Sequence, residues 1–142
     1  MSTTSPARLY AMTVGVVLVA AGIIGFFYEG AFSSDESVRD AVFGVLDVNG
    51  VHNVVHIATG LLGILAARTL ASARTYCLLF GAVYLVVTLW GFVVGDGGSI
   101  LSIIPINTAD NVLHLLLAVG GFVAYAASAP SRDHRRAGPA TT

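Results

Sequence analysis

Charge is what this sequence has least of. Only 11% of its 142 residues are Asp, Glu, Lys or Arg, and 56% are hydrophobic. Lysine is missing altogether, so all seven basic residues are arginine. A soluble domain carries roughly a quarter charged residues, so this deficit excludes an ordinary soluble domain. The net charge of −1 offers no basic stripe for nucleic acid. A single cysteine, Cys77, excludes an intramolecular disulfide. HExxH does not occur, which removes the obvious metalloprotease arrangement. Gly95-Asp96-Gly97-Gly98 has no lysine after it and reads as a turn, not a phosphate loop. No serine or threonine sits in a nucleophile elbow. Nothing in the chain argues for an enzyme.

What is present is a series of long uncharged runs, with a mean hydropathy of +0.82 overall. They predict an all-α membrane protein in one domain, residues 1–129, with four transmembrane helices at about 9–28, 51–69, 76–94 and 112–129. The first run is too long for a signal-peptide core, and Phe26-Phe27-Tyr28 stands where a small-residue cleavage site belongs. Between the first two spans lies the only sizeable polar loop, Glu29 to Val48. There Ser37 and Asp40 have capping-box spacing, and Val38, Ala41, Val42, Val45 and Leu46 recur at helical intervals. That pattern predicts a short interfacial helix at about 38–46. Arg68 to Arg74 reads as a tight basic turn. Ser99 to Ile106, interrupted by Pro105, reads as an apolar dip along the interface without a crossing. Pro130 ends the last span, and 130–142 reads as a disordered cytoplasmic tail.

Orientation follows from the arginines. Arg8, Arg68, Arg74, Arg132, Arg135 and Arg136 fall on one side, while Arg39 alone lies opposite, among most of the acidic residues. The positive-inside rule then places both termini in the cytoplasm of a multi-pass plasma-membrane protein. The lipid bilayer is the one partner this composition requires; a membrane-protein partner or a second copy is a further expectation.

The chain also repeats itself. Asn49-Gly50-Val51-His52-Asn53-Val54-Val55-His56 is echoed by Asn107-Thr108-Ala109-Asp110-Asn111-Val112-Leu113-His114. Asn49, Asn53 and His56 match Asn107, Asn111 and His114, and His52 pairs with Asp110. The echo extends to Gly15 with Gly81, Gly25-Phe26 with Gly91-Phe92, and Phe43–Ile64 with Leu101–Phe122. The expected fold is therefore two tandem helical hairpins related by a pseudo-two-fold axis along the membrane normal. Such an axis brings the second and fourth helices into equivalent places, with close packing assisted by Gly60, Gly63, Gly120 and Gly121; if the two helices meet near it, His52, His56, Asp110 and His114 converge.

Several readings of the repeated polar cluster stand side by side. In the structural one, Asn49 and Asn107 cap their helices, Asp110 completes a capping box, and Asn53, Asn111, His56 and His114 hydrogen-bond between helices. Caps do not account for the two deeper histidines. In the second reading, His52 with His56, and Asp110 with His114, use i,i+4 spacing to present ligands for a divalent transition metal. Asn49, Asn53, Asn107 and Asn111 would then serve as caps and as hydrogen-bonding support for the ligands. In the third, His56 and His114 are axial ligands of haem b. A proton relay would end halfway, because no ionisable group lies on the inner half of any span.

The two motifs, Asp47-Val48-Asn49-Gly50-Val51-His52-Asn53-Val54-Val55-His56 and Pro105-Ile106-Asn107-Thr108-Ala109-Asp110-Asn111-Val112-Leu113-His114, resemble those of a bacterial four-helix membrane family. That family is catalogued only as a domain of unknown function, common in actinobacteria and cyanobacteria. The resemblance runs from about Leu9 to Ala127 and implies a small integral membrane protein; it supplies no activity, cofactor or site residues. The expectation is a non-enzymatic structural or accessory subunit with an outward-facing His/Asn/Asp cluster. The alternative is a metal- or haem-b-binding redox or sensor protein using His52, His56, Asp110 and His114.

Overall fold

The computed structural model describes residues 4–129. Four helices carry the fold: α1 (Pro6–Gly25), α2 (Gly50–Ala66), α3 (Leu70–Val94) and α4 (Thr108–Ala127). Two antiparallel hairpins lie between them, β1 (Asp40–Val42) with β2 (Leu46–Val48) and β3 (Ser99–Ile100) with β4 (Ile104–Pro105). Helices α1, α3 and α4 are long and apolar enough to cross a membrane, whereas α2 has 17 residues. The tail expected over 130–142 lies outside the described residues.

A polar side chain opens every helix, as hydrocarbon surroundings demand of otherwise unpaired first-turn N–H groups. Ser5 accepts from Arg8 N, Asn49 from His52 N, Thr69 from Ser72 N and Asn107 from Asp110 N. These caps correct several boundaries. Helix α1 starts at Pro6, which suits a first-turn position because its missing N–H needs no partner there. It ends at Gly25, and Phe26–Tyr28 is a turn closed by Tyr28 N on Gly25 O at 3.0 Å. Helix α3 starts six residues before the expected 76, because Thr69 caps it inside what read as a basic turn.

The interfacial helix expected at about 38–46 is a β-hairpin instead. Ser37 is not an N-cap: its N–H and hydroxyl both donate to Asp35 Oδ1, at 2.9 and 2.7 Å, and hold that carboxyl below its usual range. Asp40 Oδ1 turns to Ala41 N, 2.7 Å away. Phe43 and Gly44 then take φ values of 54° and 71°, and Val45 N closes the turn on Val42 O at 3.1 Å. The connection between the paired Val42 and Leu46 is three residues long, and positive φ at two successive residues is the mirror-image turn that lets a strand reverse tightly. The second hairpin repeats it at the equivalent positions. Leu101 and Ser102 have φ of 53° and 58°, and Ile103 N bonds to Ile100 O at 3.1 Å.

Helix α1 packs along α2 and α3 along α4, in both cases through small residues. A Cβ on Gly15 would lie 2.7 Å from Gly60 O, and one on Gly60 would lie 2.6 Å from Gly15 O. In the second pair, Gly121 backs onto Cys77 O and Gly81 onto Ala118 O. The two pairs meet chiefly through α1, which touches α3 and α4. Helices α2 and α4 have no extensive backbone contact and approach through side chains, His114 toward His52 and His56. Ala7, Ala11, Ala67, Ala73, Cys77 and Ala124 fill one end of the core, with Tyr10, Tyr76 and Tyr125 packed against them. Val14, Leu18, Phe80, Tyr84 and Ala118 fill the middle. The outward faces are apolar, as residues such as Leu62, Val86 and Leu116 show.

The repeated asparagines account for two of the repeated glycines. Asn53 and Asn111 are buried, and the Oδ1 atoms of both have no hydrogen-bond partner. Each Oδ1 lies 1.9 Å from where a Cβ would stand, on Gly25 for Asn53 and on Gly91 for Asn111. The glycine Cα–H therefore points at the amide oxygen, a weak hydrogen bond that only glycine permits there. Gly25→Ala and Gly91→Ala should each destabilise the protein by about 2 kcal/mol or more, the range of core overpacking. Thermal unfolding in mild detergent checks this, with Leu61→Ala on the exposed face of α2 expected to change little.

Candidate functional site

The two hairpins lie over the ends of α2 and α4, and the cap residues tie them down crosswise. Asn49 uses Oδ1 for its own helix and donates from Nδ2 to Ile103 O, 2.8 Å away in the second hairpin. Asn107 does the reverse, donating from Nδ2 to Val45 O at 2.8 Å and to Asp47 Oδ1 at 3.0 Å in the first. Val45 and Ile103 are equivalent positions of the repeat, so the bond is the same one made twice. Asp110 Oδ2 accepts from Asn107 N at 3.1 Å, completing the capping box, and from Asp47 N at 3.0 Å. Asp47 also faces Arg39 in an ion pair of 3.7 Å.

Beneath this polar layer three imidazoles converge. His52 and His56, one turn apart on α2, bring their Nε2 atoms to 3.1 Å. His114 reaches across from α4, its ring 6.1 Å from that of His52 and 6.4 Å from that of His56. One ring nitrogen from each histidine lies within 4.8 Å of the other two. His52 and His114 are buried, and their Nδ1 atoms have no hydrogen-bond partner. Unpaired buried polar atoms are uncommon in a finished fold. The pair distance of 3.1 Å is close to the ~3.3 Å edge of a tetrahedron drawn with ~2.0–2.1 Å metal–nitrogen bonds.

The other expected site residues are placed differently. The ligand atoms that converge are those of His52, His56 and His114, while Asp110 Oδ2 accepts from two backbone amides on the hairpin side. Asn53 donates to Glu29 O at 2.8 Å, and neither it nor Asn111 hydrogen-bonds a histidine. Tyr84 is the residue that sequence reasoning left to packing. Its ring stands edge-on to His114 at 5.2 Å and ends a stack formed with Tyr76 and Phe80. The i, i+4, i+8 spacing of these three aromatics on α3 is a legible signal for a shared face, but not for what the face meets.

Fold and site together define a helical protein with membrane-type apolar helices and a histidine cluster buried under a crossed polar lid. Residues 8–127 match the family described as Domain of unknown function (DUF4383), and the chain belongs to it. Comparison with curated proteins and with solved structures gives no match.

Removing the Asp110 carboxylate leaves two buried amides without an acceptor. Asp110→Ala should therefore lose about 2–3 kcal/mol, in the range of hydrogen bonds to a charged group. Asp110→Asn, which keeps an acceptor oxygen, should lose less. Chemical unfolding of both variants in detergent, followed by far-UV circular dichroism, gives the comparison.

Proposed function

We propose that this protein is a four-span plasma-membrane protein of bacterial origin that holds a divalent transition-metal ion on His52, His56 and His114. Both termini are cytoplasmic, the two helix pairs are related by a pseudo-two-fold axis along the membrane normal, and the metal lies near the outer surface. The observation that carries the metal reading is the convergence of three imidazole nitrogens within 4.8 Å of one another beneath the lid. Three neutral imidazoles with an open fourth position suit Zn²⁺ or Cu²⁺ better than hard oxygen-seeking ions. The antiparallel course of α2 beside α1, from Gly22 against Asn53 to Ala11 against Gly63, supports four spans despite the 17 residues of α2. The crossed Asn49 and Asn107 bonds and the twin hairpin tips support the axis. The arginine distribution supports the orientation.

Haem b on His56 and His114 fits less well. A macrocycle has to pass between its axial imidazoles, and these rings stand 6.4 Å apart at 85°. The second reading is a non-enzymatic accessory subunit whose polar cluster only holds the helices. The lid favours it, since the asparagine and Asp110 bonds fasten the two halves without any ion.

Metal analysis of protein purified in mild detergent separates the two. The metal reading expects about one Zn²⁺ or Cu²⁺ per chain, lost in His52→Ala, His56→Ala and His114→Ala and kept in Asp110→Asn. A wild type that stays folded, contains no metal and takes up neither ion in titration overturns it in favour of the accessory subunit.

A further inference from the structure

Two apolar cavities flank the histidine cluster, one on either side. The smaller, about 80 Å³ on the α2–α3 side, has room for little beyond water. The larger, about 340 Å³, lies between α1 and α4 beneath the first hairpin, at the lower end of the ~300–1,000 Å³ typical of small-molecule sites. Its walls include Val17, Ala21 and Ile24 of α1 and Leu113 of α4, with Phe43 from the hairpin tip. Val17, Ile24 and Leu113 are 56%, 39% and 40% exposed, so the cavity opens sideways through the surface that faces lipid. Its polar lining is confined to His56, Asp110 and His114.

We infer that this cavity binds a neutral, membrane-dissolved amphiphile with a ring-shaped, hydrogen-bonding head, a molecule of the quinone or quinol class. Three features select it. No arginine lines the cavity and lysine is missing from the chain, so nothing there compensates a fatty-acid carboxylate or a lipid phosphate. The imidazoles of His56 and His114 donate to a carbonyl oxygen or accept from a hydroxyl, which suits either redox form of a quinone. The α1 wall spans only Val17 to Ile24, about 10 Å of helix, which fits a ring and leaves a long alkyl chain to trail into the bilayer.

Phe43 belongs to this reading. A bulky residue at φ 54° is a strained choice for a turn, and this one holds its ring against Tyr28, 5.8 Å away, at the cavity's roof.

The inference uses the histidines as hydrogen-bonding groups and does not rest on a bound ion. The test is equilibrium binding of decyl-ubiquinone to detergent-solubilised protein, both metal-stripped and zinc-loaded, with oleic acid as the anionic comparison. Saturable binding of the quinone to either form is expected, tighter than that of oleic acid. Ala21→Phe fills the cavity from α1 and replaces none of the three histidines; it should weaken quinone binding tenfold or more while retaining the metal content of wild type. Leu113→Trp repeats this from α4, and both variants are first checked for the wild-type circular dichroism spectrum. Preferential oleic acid binding overturns the proposal. So does quinone binding that is unsaturable in both forms, or that is unchanged in the folded variants. Loss of metal in wild type with quinone binding intact would sink only the metal reading.

Discussion

The fold depends on one constraint: in hydrocarbon, no backbone or amide group can fall back on water. The hairpin end of this protein meets it with a side chain that serves two masters. Asn49 and Asn107 each satisfy a first-turn N–H of their own helix through Oδ1 and a carbonyl of the opposite hairpin through Nδ2. Each helix start is thereby fixed to the other half of the molecule. Neither half's lid closes over its own helix alone, and the two helix pairs are held in register where α2 and α4 themselves scarcely touch. The same economy appears deeper, where Asn53 and Asn111 lie against Gly25 and Gly91.

The departure from exact repetition follows from the same accounting. Asp110 has a carboxylate because two backbone amides, Asn107 N and Asp47 N, point at it. The position equivalent to Asp47 is Pro105, which has no N–H to offer. A carboxylate at 52 would lose its donor from the opposite hairpin and stand as a poorly compensated charge near the membrane. Histidine there is neutral-capable and turns its Nε2 to His56. Proline at 105 and histidine at 52 therefore make one substitution in physical terms, and it creates the cluster, since Asp110 supplies no third imidazole.

How much of this was legible in the sequence depends on the range of the interaction concerned. Three long apolar runs, the Asn49 and Asn107 caps and the Asp110 capping box are local, set by composition and by residues three or four apart, and they read correctly. The hairpin at 40–48 did not. Val38, Ala41, Val42, Val45 and Leu46 satisfy a helical spacing, but the bonds from Ser37 to Asp35 and the positive φ at Phe43 decide otherwise. Nothing in a bulky Phe advertises a left-handed turn residue. The asparagine repeat indicated equivalent places without showing that Nδ2 of each would cross to the other hairpin. Of the two i,i+4 pairs, His52 and His56 bring their Nε2 atoms together. The spacing could not show that His114 would swing toward α2 while Asp110 beside it turned up to the lid.

That division of labour bears on what the histidines are for. Helices α1 and α2, and α3 and α4, are joined by glycine contacts at Gly15, Gly60, Gly81 and Gly121, and the two halves are joined by the asparagine bonds above. A polar clamp is needed where helices would otherwise part, yet these joints are already made without an imidazole. His52 and His114 each hold a buried Nδ1 without a well-formed hydrogen bond, so as a clamp they are incompletely satisfied. The cluster lies across the thinly packed seam between α2 and α4, with an apolar cavity on each flank, and takes no part in the glycine and asparagine joints. A buried polar group without a full set of partners carries a desolvation cost that no joint described above offsets, and that cost is the physical ground for the binding reading proposed here.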